Sequence, residues 1–232
     1  MATPSDLVTL AMLKAWLNIP AASADDAALG VLITQISRKM ITQTNRNSLV
    51  PKACTETLDQ PMFSIRVTQL WAVGEILGPP RDLDAVKVAL AINRPADDVP
   101  WLSEPSGTQH WANAVRLNKN PFIVFWRSDE AAIWNHDIVR PALVWDSVGG
   151  EQPDVLAAIR DGDAERVRSV LPTEDELAGR LADELTVSRN SLQAATEAYE
   201  KRRWSPGKLE PTADALWLAS LGYLDVMRAI ER

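Results

Sequence analysis

The stretch that decides the fold is Leu70–Asn93, LWAVGEILGPPRDLDAVKVALAIN. An apolar segment leads through a glycine turn and a proline-rich loop to two aspartates one residue apart, and then to a second apolar run. That run, Val86–Ile92, is short, rich in Val, Ala, Leu and Ile, and stopped by Asn93-Arg94-Pro95. These features predict a buried strand rather than a helix. Side chains alternate faces along a strand, so Asp82 and Asp84 at its start point the same way. Two like charges held together are solvated, protonated or shared with a cation. Oxygen ligands at that spacing suit Mg²⁺, which takes one or two carboxylates plus substrate phosphates. The competing reading is a solvated turn ahead of a strand, ordinary for Asp in a Pro-rich loop.

Working outward, 46% hydrophobic and 24% charged residues over 232 positions is the balance of a chain that builds a core, in one large domain or two small ones. A net charge of −7 without a long block of like charges argues against general nucleic-acid binding, which relies on basic patches. Cys54 is the single cysteine, which rules out an intrachain disulfide or a cysteine metal cage and fits a reducing compartment. The N-terminus lacks a signal-peptide pattern, and no apolar run approaches membrane-spanning length, so a cytoplasmic protein with no membrane partner is expected. Nine tryptophans outnumber three phenylalanines and two tyrosines. Trp71, Trp101, Trp111, Trp126, Trp134 and Trp145 crowd residues 71–145, either as stacking platforms or as core fillers whose indole N–H finds one partner. The core reading is preferred.

Residues 5–45 read as two amphipathic helices, the second capped by Ser23 and closed at Asn45-Arg46-Asn47. Strands are expected at Pro121–Trp126 and Pro141–Trp145, the latter ending at Asp146. Gly107–Leu117 reads as a short helix or strand. Beyond Gly150 the pattern is helical: Pro153 sits at a first turn, Thr173 and Glu176 form a capping box, and Leu177, Leu181, Leu185 and Leu192 share one face. Ser205-Pro206-Gly207 breaks the chain before a last helix over 212–230. Equal numbers of acidic and basic residues in 1–59 place all of the net charge after that point, marking a seam near 57–62.

Three resemblances follow. DLVTLAMLKAWLNIP and the residues after it, from Asp6 to Asp59, resemble the N-terminal part of phage head–tail connector proteins. That likeness implies self-assembly into rings, with phage portal or tail proteins as partners and the virion as location. Gly74, the pair Asp82 and Asp84, and Asp146 at the end of a later strand resemble the polymerase-β-type nucleotidyltransferase pattern. It implies a mixed sheet in which the three aspartates hold Mg²⁺ and act as catalytic residues on a nucleoside triphosphate, with Gly74 against the phosphates. Glu75 replaces the serine of that pattern, which points to a degenerate member. Lys208, in the basic stretch after Lys201-Arg202-Arg203, is a further candidate for triphosphate binding, although a basic last helical turn explains the first three equally well. Finally, Arg66–Gly74, Trp134-Asn135-His136 with Val139–Asp146, and Arg203–Pro211 are similar to an uncharacterised bacterial family over residues 61–231.

The expected architecture is α/β (α+β): an N-terminal helical segment over 1–59, a nucleotidyltransferase-like mixed sheet over 60–150, and C-terminal helices over 151–232 packed on it. The function expected is Mg-nucleotide binding by a degenerate transferase. The alternatives are phage structural assembly through residues 1–59, or a fusion of two unrelated pieces. Of the two histidines, His136 beside Arg140 is a candidate acid/base or phosphate contact, set against a structural role in a Trp-rich core.

Overall fold

The apolar run that reads as a strand is one, and a second strand precedes it. The computed structural model describes residues 46–79 and 83–232; the helices expected over 5–45, and Asp82, lie outside the described residues. The chain divides into two compact units, Met1–Val50 and Pro51–Arg232, and the second holds the whole sheet.

Strands β1 (Val67–Val73) and β2 (Val86–Ile92) pair antiparallel, from Val67 opposite Ile92 to Val73 opposite Lys87. Val88 to Ile92 are all buried, because both sheet faces are covered; this explains an unbroken apolar run where a half-exposed strand would alternate. The chain then crosses over through α2 (Thr108–Ala114) to β3 (Phe122–Ser128), which lies parallel to β2. A parallel neighbour demands such a crossover, whereas a hairpin suffices for an antiparallel one. β4 (Ala142–Asp146) pairs antiparallel with the other side of β1, and β5 (Gly150–Glu151) completes the order β3-β2-β1-β4-β5. Helices α3 (Pro153–Arg160), α4 (Glu174–Arg202) and α5 (Glu210–Ile230) follow. The architecture is mixed α/β with C-terminal helices.

Register fixes the two faces. Trp126, Leu90, Leu70 and Trp145 form one row across the sheet, and Phe125, Ala89, Trp71 and Leu143 form the next, on the opposite face. Trp126 meets Trp111 of α2 edge-on, with ring centroids 6.0 Å apart. On the same face the indole N–H groups of Trp111 and Trp145 donate to Thr57 Oγ1 and Thr55 Oγ1 of α1 (Arg46–Thr57) at 2.9 and 2.8 Å. The other face carries Val73, Ala89, Ala91 and Phe125, packed with Trp101, Leu181 of α4 and Val226 of α5. The result is three layers.

Trp101, Trp111, Trp126 and Trp145 are buried, and the indole N–H of the first two and the last is satisfied, as expected of core fillers. The capping box forms: Thr173 Oγ1 accepts from the Glu176 backbone N–H at 3.2 Å, and Glu176 Oε2 accepts from the Thr173 N–H at 2.8 Å. Burial pushes the Cys54 thiol up to about 12, leaving no thiolate to react near neutral pH. One expectation is corrected. Arg46-Asn47 lies inside α1 rather than closing a helix, because Asn serves helix starts as readily as helix ends. Thr55 and Thr57, grouped by sequence with the N-terminal helices, therefore hold tryptophans of the α/β layer.

Candidate functional site

Gly74 follows β1 directly and takes the left-handed conformation, φ +69, which glycine adopts without strain. It sits beside Lys87, the residue opposite Val73, so it shares one end of the sheet with exposed Asp84 just ahead of β2. Asp146 is at the other end. Register places it in a row with Gln69 and Ala91, and Ala91 is five residues, roughly 17 Å at strand rise, along β2 from Val86, which Asp84 precedes by two residues. Asp84 and Asp146, the two of the three expected aspartates that fall among the described residues, are therefore not brought together. Asp146 organises the β4–β5 turn instead. Asp146 Oδ1 accepts the backbone N–H groups of Val148 and Gly149 at 2.9 and 2.6 Å, and Oδ2 accepts from Gln152 Nε2 at 3.1 Å. Among the described residues no group of three or more His, Cys, Asp and Glu is placed to hold a metal.

Lys208 lies outside the sheet. It lies exposed in the loop joining α4 to α5, where its backbone carbonyl accepts from Arg202 Nε at 3.4 Å. Ser188 is the last fully buried residue of α4, and Arg202 is roughly 21 Å further along the helix. Spacing in sequence suggested convergence of Asp84 and Asp146; register decides against it.

What the sequence missed is a polar network between the sheet and the two long helices. Arg127, at the end of the apolar strand FIVFW, is 2% exposed and ion-pairs with Glu184 of α4, itself 5% exposed. Arg180 reaches the same carboxylate oxygen at 3.2 Å, and Asn135 Nδ2 donates to the other at 3.0 Å. Burial, followed by the like charge of Arg127, holds the Arg180 guanidinium below its ordinary value, with Glu184 and Asp183 opposing. Arg127 also lies over the Trp101 ring, 5.3 Å from its centroid. The signal was present: Glu184 and Ser188 fall on the helix face that carries Leu177, Leu181 and Leu185, where a polar residue is out of place unless partnered.

Trp101 extends the network to α5. Its indole N–H donates to Asp225 Oδ2 at 2.8 Å, and His136 Nε2 lies 2.9 Å from the same oxygen. An ionised carboxylate only accepts, so Nε2 carries the proton. His136 is thus bound to Asp225 rather than acting with Arg140, whose guanidinium pairs with Glu165. Burial raises the Asp225 carboxyl, but the hydrogen bonds from Trp101 and His136 outweigh it and hold the group below the usual carboxylate range. A depressed carboxyl contributes stability above its unfolded pKa, near 3.9, and loses it as pH falls through the folded value. Asp225→Asn is therefore expected to lower stability at neutral pH and to flatten the decline below about pH 4. Urea midpoints across the pH range check this; parallel acid limbs in wild type and variant would contradict it. Arg127, Glu184 and Asn135 are buried and fasten α4 to the sheet, whereas Asp225 of α5 keeps its side chain 40% exposed.

The open feature is at the sheet edge. β3 stands last in the strand order and, among the described residues, pairs on one side only, with β2. Its alternate residues Phe122, Val124 and Trp126 line a cavity of about 260 Å³ closed by Ala112 of α2, with exposed Glu104, Gln109 and Asn118 also on its wall. Glu104 makes no ion pair or hydrogen bond with the described residues. No described helix is long and apolar enough to cross a membrane.

Comparison with curated proteins returned no match, and comparison with solved structures returned none either. A family model does match, over residues 39–232, crossing the seam read near residues 57–62 and taking in α1, the sheet, the buried network and the α4–α5 pair. The chain belongs to the family described as Domain of unknown function (DUF7711).

Proposed function

We propose that the domain is a binding module that takes an extended peptide along the free edge of β3, with a basic side chain of the peptide in the adjoining cavity. The observation that carries this reading is the pairing of an unpaired edge strand with a cavity lined by every second residue of that strand. Strand addition gains affinity from main-chain hydrogen bonds and specificity from cavities that accept alternate side chains. Phe122 to Trp126 carry no charge to ward off pairing, unlike protected edge strands. An aromatic wall and an unpaired carboxylate, Glu104, suit a Lys or Arg side chain. The acidic chain as a whole draws the same kind of ligand.

A labelled peptide alternating Lys and Val, compared with its Glu-for-Lys counterpart, tests this by fluorescence anisotropy. The Lys peptide is expected to saturate and the Glu peptide not, with Glu104→Lys weakening binding by about tenfold or more. Equal binding of both peptides, or of neither, overturns the reading.

A second reading keeps the Mg-nucleotide site on Asp82 and Asp84. One observation favours it: Gly74, open to close backbone approach, shares an end of the sheet with Asp84 and with Lys87. Calorimetric titration of Mg²⁺ with ATP into the wild type and Asp82→Asn/Asp84→Asn tests it. Saturable binding lost in the variant supports a transferase-derived site; no binding by the wild type removes it. Assembly at a phage head–tail junction through residues 1–59 is tested by light scattering, which would register a ring.

A further inference from the structure

Helix α5 shows its buried face to the sheet through Ala219, Gly222 and Val226. Its opposite side exposes Trp217 at 67%, Leu224 at 44% and Leu221 at 38%. The spacing is that of a coiled-coil seam: Glu210, Asp214, Trp217, Leu221, Leu224 and Arg228 recur at alternating steps of four and three. All six are exposed, and the acids come first while the base comes last.

We infer that this seam packs antiparallel against the same seam of a second copy of the chain, about a two-fold axis passing near Leu221. Such an axis sets Leu221 against its own counterpart and Trp217 beside Leu224. The charges then settle the direction. Asp214 meets Arg228, and Glu210 lies toward Arg232, two residues beyond the end of α5, each pair twice by symmetry. A parallel alignment puts Asp214 on Asp214 and Arg228 on Arg228, which is repulsive. None of Glu210, Asp214, Arg228 and Arg232 makes an ion pair or hydrogen bond with the described residues, although the charge of Arg228 also acts on Asp225. From Asp214 to Arg228 the seam runs about 21 Å, short enough that the dimer falls among small, reversible interfaces. This surface lies on α5, apart from the β3 edge, and stands whether or not that edge binds peptide.

Sedimentation equilibrium of the full chain from about 1 to 100 µM tests the inference. Wild type is expected to pass from monomer to dimer across that range. Leu221→Glu, an exposed position, is expected to remain monomeric with an unchanged urea midpoint. Asp214→Arg and Arg228→Asp each weaken association about tenfold, and the two together restore it. The swap of Glu210→Arg with Arg232→Glu repeats the comparison at a second pair, should Arg228→Asp disturb neighbouring Asp225. A wild type that stays monomeric throughout overturns the inference. So does a dimer indifferent to Leu221→Glu, or charge swaps that fail to rescue.

Discussion

Gly222→Ala is expected to lower stability by about 3 kcal/mol, a large share of what a domain this size possesses. Gly222 is buried on α5, and a Cβ built there would stand 2.1 Å from the Trp101 carbonyl oxygen and 3.1 Å from its carbonyl carbon. Both neighbours are backbone, and Trp101 is held from three directions: its indole N–H by Asp225, its ring by Phe125 stacked at 5.2 Å, and its other face by Arg127. Nothing there yields cheaply, so α5 must lift from the loop and surrender the Val226 contacts with it. Gly179 supplies the control. It lies on exposed α4 with nothing within 4 Å of a built Cβ, so Gly179→Ala is expected to raise stability by up to about 1 kcal/mol. Opposite movements of the two urea midpoints would establish that contact rather than helix propensity governs position 222. A Gly222→Ala midpoint equal to wild type would mean that α5 is not seated on Trp101.

Glu184→Gln is expected to cost about 3–5 kcal/mol, because it leaves the buried Arg127 guanidinium without its counter-charge and facing Arg180, which keeps only Asp183. The amide preserves the shape and one acceptor for Asn135, so the loss reports charge rather than packing. Removing the pair together, as Arg127→Met with Glu184→Leu, is expected to cost less than the sum of the single changes, since the buried ions leave with each other. Urea denaturation of the four proteins in that cycle measures the coupling. Strict additivity would show that the two side chains do not depend on each other.

The strands, the capping box and the last helices were legible because each depends on local pattern: an apolar run between breakers, Thr173 three residues before Glu176, and leucines at helical spacing. Tertiary pairing was not. Asp146 ends a strand as expected, yet whether it faces Asp84 or stands a sheet-length away depends on antiparallel pairing of β1 with β4, which residue types do not encode. A bulge between Leu70 and Trp71 shifts that register further. The buried network could have been suspected from Glu184 on an apolar helix face and Arg127 closing an apolar strand. Their meeting, 57 residues apart, could not.

The place of β1 at the middle of the sheet has a consequence for synthesis. β1 is made first of the five strands, takes β2 as its first partner, and receives its second only when Ala142–Asp146 has been translated. At roughly 5–20 residues per second that interval lasts several seconds. Through it the nascent chain carries the Gln69–Ala72 edge bare, and Arg127 waits still longer for Glu184. The C-terminal helices are thus the step that ends the vulnerable period, and chains truncated before α4 are expected to be prey for chaperones and proteases rather than smaller working domains.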